Sequence, residues 1–405
     1  MDKIQSQPFD FSNFRQQFPF FKESQIVYLD STATTLKPQV LLDSTLSFYR
    51  SAGSVHRSQY DYQQTQQYEQ ARQNVASWLN AESKECIIWT SGTTASINLV
   101  GYGLLPNLTA DDHIIITQAE HHANYVSWVE FAKKNHSKLH IVELDQKHKI
   151  STPHLIQSLS SNTKLVALNL ISNVTGIRQP IEQLIPLIRQ AAPQALILLD
   201  VAQAILHHPI DLQQLDIDFC TFSCHKIYGP TGLGILAGKR AALEQLSPMF
   251  FGGKMVEKIE NQHVTFTQLP YLLEAGTPNI AAVIGFGAVL DWLQQFDVKQ
   301  MAYHSLALAQ QCRQRLSTYP TCRIFSEPTS TIISFIFIGI ENSDLATLLS
   351  EQNIALRSGE HCAKPYLHHL ALTGTLRVSF SAYNNQNDLD RFFTALDAAL
   401  SLLTD

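Results

Sequence analysis

Short apolar runs alternate with segments of helical periodicity through the first two thirds of the chain, and this alternation constrains the fold more than any other feature. Apolar runs fall at 26–29, 86–90, 113–117, 139–144, 164–171, 195–201, 219–223 and 234–237. Runs this short, without polar alternation, predict strands covered on both faces, and helical segments between them predict crossovers on a parallel sheet. The helical segments include 65–79, where Tyr68, Ala71, Val75, Ala76 and Leu79 repeat near a period of 3.6, with 125–131 and 181–188 alike. After Pro278 the texture changes: two long helical stretches (281–296 and 301–316) precede strands at 331–338 and 376–381 and a closing amphipathic helix at 387–403. The expected organisation is a large α/β domain over 25–280 and a small α+β domain over 281–405, with an N-terminal segment, 1–24, packing on the small domain.

A chain of 405 residues, 45% hydrophobic and 16% charged, can build such cores. Its formal net charge of −6, without runs of Lys/Arg interleaved with aromatics, gives no reason to expect a nucleic-acid partner. Residues 1–21 lack a basic and then apolar leader, and no apolar stretch approaches the roughly 20 residues that span a bilayer. The expectation is a cytoplasmic protein without membrane attachment. Six cysteines (Cys86, Cys220, Cys224, Cys312, Cys322 and Cys362) form no C-x-x-C pair and no disulfide framework, so reduced thiols are expected.

Five clusters carry chemistry. In F-C-T-F-S-C-H-K-I-Y-G-P-T-G (219–232) a strand delivers Ser223, His225 and Lys226 into a Gly/Pro-rich turn. A lysine there suits a Schiff base with an aldehyde cofactor, although a lysine taken alone more often caps a surface turn. The apolar run A-L-I-L-L-D-V (195–201) ends at Asp200, followed by Gln203. Such a carboxylate calls for a cation, either a pyridinium nitrogen or an ordinary helix or lysine partner. In T-S-G-T-T (90–94) a strand turns through Gly92 into a helix opening with Thr93 and Thr94, which is a phosphate site or only a cap. A-E-H-H-A-N (119–124), just past the run at 113–117, places an imidazole where it could stack on a flat ring; the adjacent pair lacks the i, i+4 spacing of a helical zinc site, so no metal is expected. In A-L-R-S-G-E-H-C-A-K-P (355–365) Cys362 stands beside His361 and Lys364, cationic neighbours that favour a thiolate. Arg357 and Arg377 offer guanidinium forks for a substrate carboxylate, or form surface pairs.

Together with S-N-V-T-G (172–176), E-A-G-T-P (274–278) and Y-L-D-S-T-A-T-T (28–35), these motifs resemble the class V aminotransferase family over nearly the whole chain. They are most similar to its cysteine desulfurase and selenocysteine lyase group (CsdA/SufS-like). S-V-H-R-S-Q (54–59) and D-I-D-F (216–219) point to the cysteine sulfinate desulfinase branch. The resemblance implies a fold-type-I enzyme dependent on pyridoxal 5'-phosphate: a large domain with a mostly parallel seven-stranded sheet, a smaller α+β domain, and a homodimer with its active site at the subunit interface. It implies that Lys226 carries the cofactor, Asp200 meets the pyridinium nitrogen, His122 stacks on the ring and Gln203 contacts the phenolic oxygen. Thr93, Thr94, Ser223 and His225 match the phosphate site, with Thr277 reaching it from the partner subunit. Asn173, Arg377, Arg357 and His56, the last beside Arg57 in an interface segment, match substrate binders, and Cys362 matches the persulfide cysteine. The implied reaction converts L-cysteine to L-alanine, with selenocysteine and cysteine sulfinate as related substrates, and hands the sulfur to an acceptor protein (SufE/CsdE-like), as in iron-sulfur cluster assembly. An aminotransferase or another lyase on the same scaffold, with Cys362 incidental, and a cofactor-free scaffold are the alternatives. The chain departs from the family pattern at Cys224, Ser91 and Val201, where Gly, Arg and Gly are usual.

Overall fold

The computed structural model describes residues 9–51 and 53–404, which divide into two compact units. The larger comprises Val40–Ile171 and Arg178–Asp291; the other comprises the chain up to Gln39, Ser172–Ile177 and the chain from Trp292 onward. The division differs from the expected 25–280 and 281–405. Residues 25–39 and the short 172–177 segment go with the small unit, and the second boundary falls inside the helix Ile280–Leu293. Aromatic packing explains why that helix is shared: Phe14, on the N-terminal helix Phe11–Gln16, stacks on Trp292 at 5.2 Å, and Trp292 Nε1 donates to Gln17. Residues 1–8 of the expected N-terminal segment lie outside the described residues.

The larger unit is built on seven strands: Ile87–Thr90 (β1), His113–Thr117 (β2), Lys138–Val142 (β3), Thr163–Asn169 (β4), Leu196–Asp200 (β5), Phe219–Ser223 (β6) and Gly234–Gly238 (β7). Their order across the sheet is β1-β7-β6-β5-β4-β2-β3. All neighbours run parallel except at β7, which is antiparallel to both β6 and β1. Two reversals cancel, so β1 points the same way as β2, β5 and β6. The C-terminal ends of these four strands therefore share one edge, the edge where open α/β sheets bind ligands. Strands β5, β6 and β7 are buried along their whole length, and Ile88, Ile114, Ile116, Leu165, Leu198 and Phe219 join Trp128 in one apolar cluster. Each such side chain contributes about 1.5–3 kcal/mol of burial free energy, which holds the sheet edge rigid under the loops it carries.

The run at 26–29 corrects the list of sheet strands. Val27–Tyr28 pairs in parallel with Ile354–Ala355, inside the small unit. That unit holds an antiparallel sheet of Cys322–Ile324 (β8), Ile332–Phe337 (β9), Arg357–Gly359 (β10) and Thr375–Ser379 (β11), in the order β8-β9-β11-β10. Helices Val298–Leu316, Asn342–Glu351 and Gln386–Thr404 cover it. Among the described residues no helix is long and apolar enough to cross a membrane, and no group of three or more His, Cys, Asp or Glu side chains could hold a metal ion.

Candidate functional site

In the larger unit the shared strand edge positions the predicted residues. β1 ends at Thr90, turns through Gly92 at φ +151° and enters the helix Thr93–Leu104 (α1). Two glycines make this turn possible. A Cβ on Gly234 would meet Gly92 Cα at 2.3 Å, and one on Gly92 would meet Ser223 Oγ at 3.3 Å. The Gly92 N-cap makes no side-chain bond to the amides of the first turn, and Ser223 Oγ reaches across from the end of β6 instead. It accepts from Thr93 N at 2.8 Å and shares a hydrogen bond with Thr93 Oγ1 at 2.8 Å. Thr93 and Ser223 are buried, whereas Thr94 is exposed on the same first turn. A helix N-terminus with hydroxyls and closely approached glycine backbone suits a phosphate.

Asp200 closes β5 with 6% exposure, and its Oδ1 accepts from Ala202 N at 2.9 Å. Burial raises its carboxyl from 3.8 to about 6, against the opposing pull of the Ala202 amide and the charge of Lys226. The residues therefore fit a ligand with a cationic nitrogen for Asp200 and an anionic phosphate for α1. A raised carboxyl pKa means that the ionised form burdens the fold. The burden is absent below the unfolded value of 3.8, grows as pH rises towards 6 and is fully present above it. The cofactor-free Asp200→Asn protein is thus expected to melt higher than the cofactor-free parent at pH 7, by an amount equivalent to roughly 3 kcal/mol, and to lose that advantage near pH 4. Thermal denaturation of both proteins at the two pH values checks this; a less stable variant at pH 7 would mean that Asp200 already has its cation.

The two adjacent histidines do different work. His121 is the N-cap of the helix His122–Asn135 (α2), its Nδ1 accepting from Ala123 N at 3.1 Å, and this leaves His122 as the first helical residue. Lys226 ends a single 3-10 turn after β6, within electrostatic reach of Asp200, and both it and His225 are half-buried. Gln203 follows Asp200 on the loop after β5, also half-buried. The departures are absorbed without disturbing the edge. Cys224 and Val201 are fully buried, Cys224 against Gly229, and Ser91 is exposed. Elsewhere in this unit His56 pairs with Glu69 at 3.2 Å, and Arg57 Nη2 donates to Thr277 Oγ1 at 3.4 Å. Burial and the nearby charge of Lys254 lower the pKa of His56.

In the small unit β10 and β11 place Arg357 directly opposite Arg377. Like charges facing across a ladder destabilise it unless a counter-charge intervenes. Asp30 supplies that charge: Oδ2 accepts from Arg357 Nε at 3.2 Å and Oδ1 from Arg377 Nη2 at 3.1 Å. Asp30 was visible in Y-L-D-S, but its role emerges only from the pairing of two strands more than 300 residues away. Burial brings Arg377 down to about 10, with Asp30 opposing the shift. Arg377 Nη1 also donates to Asn173 O at 2.8 Å, and Asn173 Nδ2 donates to His361 O at 2.6 Å. Asn173 thus anchors the main chain next to Cys362.

Cys362 is exposed, and it and His361 both take left-handed φ values of 54° and 51°. The expected cationic neighbours need correction. His361 Nε2 bonds to Thr375 O at 3.1 Å and to Thr375 Oγ1 at 2.8 Å, so Nε2 carries the proton; burial and the Arg377 charge take its pKa to about 3 and keep it neutral. Lys364 pairs with Glu360 at 3.3 Å. Arg377 is a cation within electrostatic reach of Cys362. Asn173 Oδ1, His361 Nδ1 and Arg377 Nε are buried with no hydrogen-bond partner among the described residues, which suits a polar ligand that completes them.

The model of the family described as aminotransferase class-V matches residues 27–392. A "Probable cysteine desulfurase" of Haemophilus influenzae is 59% identical over 96% of this chain and 89% of that protein. The cysteine desulfurase CsdA of Escherichia coli is 43% identical over 98% of this chain and 99% of that protein. The crystal structure of CsdA, in an S-sulfonic acid form, superposes with a TM-score of 0.93, covering 98% of this chain and all of that one. A cysteine desulfurase of Thermococcus onnurineus, 28% identical, gives a TM-score of 0.91 over 99% of this chain and 100% of that one.

Proposed function

The chain belongs to the class-V aminotransferase family, and from that premise we propose that it is a cysteine desulfurase, converting L-cysteine to L-alanine with pyridoxal 5'-phosphate and taking the sulfur onto Cys362 as a persulfide. Its architecture is fold type I. The observation that carries the reading is Cys362 itself, exposed on a left-handed turn in contact with the charge of Arg377, while the other five cysteines are buried.

When bound, the cofactor supplies an aldehyde for the substrate amine and a ring that takes up the electron pair left at Cα. The protein's own groups do the rest. Thr93, Thr94, Ser223 and His225 would hold the phosphate, His122 would face the ring, Gln203 its phenolic oxygen, and Asp200 would keep its nitrogen protonated. Lys226 Nζ would anchor the cofactor and take up the Cα proton. Arg377, with Arg357 and Asn173, receives the substrate carboxylate. The Cys362 thiolate attacks the substrate sulfur; the S–S bond forms, the C–S bond breaks, and its electron pair stays with the carbon skeleton that leaves as alanine.

Selenocysteine and cysteine sulfinate are related substrates on this reading. The protein works as a homodimer, with Thr277 and His56 serving the site of the partner; Tyr49, Tyr60, Phe250 and Phe251 are large apolar side chains exposed by 69%, 90%, 68% and 71%, the kind of surface a second copy covers. It acts in the cytoplasm, where its six thiols stay reduced, and passes the persulfide to a sulfur-acceptor protein. The purified protein is expected to show the visible absorption band of lysine-bound cofactor and, given L-cysteine and a reductant, to release alanine and sulfide in equal amounts. A band with amino-acid and keto-acid exchange but no sulfide would make it an aminotransferase. Absence of a band after supplying the cofactor would remove the reading.

A further inference from the structure

Glu120 lies between Ala119 and His121 on the turn from β2 to α2, with 0% exposure. A carboxylate so placed needs strong compensation, and it has three donors. Oε1 accepts from Thr117 Oγ1 at 2.6 Å and from Asn169 N at 3.2 Å; Oε2 accepts from Asn124 Nδ2 at 2.7 Å. Each donor sits on a different element: Thr117 ends β2, Asn169 ends β4, and Asn124 lies in the first turn of α2. The links continue outward. Asn169 Nδ2 donates to Ala119 O at 2.5 Å, and Trp128 Nε1 donates to Asn124 Oδ1 at 2.9 Å. Asn169 is also the strand partner of Asp200, and His122 is two residues from Glu120. Burial, with the charge of Asp200 adding to it, raises the Glu120 carboxyl to about 8, as expected for a second acid set close beside the first.

We infer that Glu120 is a positioning residue for the proposed reaction: it ties the ends of β2 and β4 to the first turn of α2, and so fixes His122 and Asp200 relative to one another. This inference rests on the function proposed above. All three bonds to the Glu120 oxygens are made, although Asn169 Oδ1 has no hydrogen-bond partner among the described residues; a buried network bonded in this way is stiff around its centre, and one missing member releases the rest. A hydrophobic isostere at 120 would leave the Asn124 amide and the Asn169 N–H without acceptors, and the start of α2 would be free to shift.

The test compares Glu120→Gln, Glu120→Ala and Thr117→Val in the full chain. Five quantities are measured: the melting temperature of the cofactor-free protein, the dissociation constant for pyridoxal 5'-phosphate, the visible circular dichroism per bound cofactor, and kcat and KM for cysteine. Glu120→Ala is expected to weaken cofactor binding about tenfold or more and to halve the dichroic band, with kcat falling at least tenfold and KM within about twofold. Glu120→Gln and Thr117→Val keep the volume and fold, and are expected to show the same losses to a smaller degree. Adding Asn124→Ala to Glu120→Gln is expected to cost little more than the worse single change, because both cut one link. A drop in melting temperature alone, with the dichroism per bound cofactor and kcat at parent values in Glu120→Gln and Thr117→Val, would reduce Glu120 to a structural role and overturn the inference. A parent protein that binds no cofactor would instead defeat the functional reading, and this inference with it.

Discussion

Lys226→Ala is expected to lower alanine formation from L-cysteine by at least about 10⁴-fold, because the proposed function gives this one side chain two tasks. On the function proposed above it holds the cofactor covalently and carries the proton removed from Cα. Its place suits both. The 3-10 turn after β6 sets Lys226 at the edge where strands β1, β2, β5 and β6 end, within reach of the Asp200 charge. Lys226→Arg separates the tasks from simple electrostatics: the guanidinium keeps a positive charge near Asp200, yet it stays protonated and can neither bond to the aldehyde nor accept a proton. Both variants are expected to bind the cofactor reversibly, so that borohydride no longer fixes it to the chain by mass spectrometry. Retention of more than about a hundredth of parental turnover in either variant would place the base elsewhere.

Much of this was legible beforehand, for identifiable reasons. Parallel strands covered on both faces read as uninterrupted apolar runs, so β1 to β7 stood out, and residues at or just past their ends, such as Asp200 and Lys226, were placed by those strands. Direction was not legible: nothing in the periodicity of Gly234–Gly238 says that β7 runs against its neighbours. Nor was the pairing of Val27–Tyr28 with Ile354–Ala355, since a short apolar run carries no mark of a partner so distant in the chain. Burial and pairing also decided charge. His361 and Lys364 looked like cations poised beside Cys362, but one is buried and neutral and the other is paired with Glu360. Asp30 and Glu120 were read only as letters within motifs. One gained meaning when two arginines met across a ladder, the other when three elements converged on its carboxylate.

Cys362→Ala divides the substrates. With L-cysteine the sulfur leaves carbon only if something accepts it, and the Cys362 thiolate is the group this reading assigns to that task; loss of about 10³-fold in alanine formation is expected. With cysteine sulfinate or selenocysteine, sulfur dioxide or selenium departs without a nucleophile, and alanine formation is expected to stay within about tenfold of the parent. The surroundings of Cys362 make alanine a clean replacement. The exposed side chain adds little packing, and the turn is held from outside it, through Asn173 on the carbonyl of His361 and Thr375 on its ring. Cys362→Ser is the companion variant, because a hydroxyl fills the same space and cannot hold a persulfide. Alanine is measured for all three substrates at matched concentrations, with the melting temperature as a check on folding. Equal losses on cysteine and on cysteine sulfinate, in a variant that melts like the parent, would mean that Cys362 serves substrate binding rather than sulfur acceptance, and the persulfide would have to be sought on another residue.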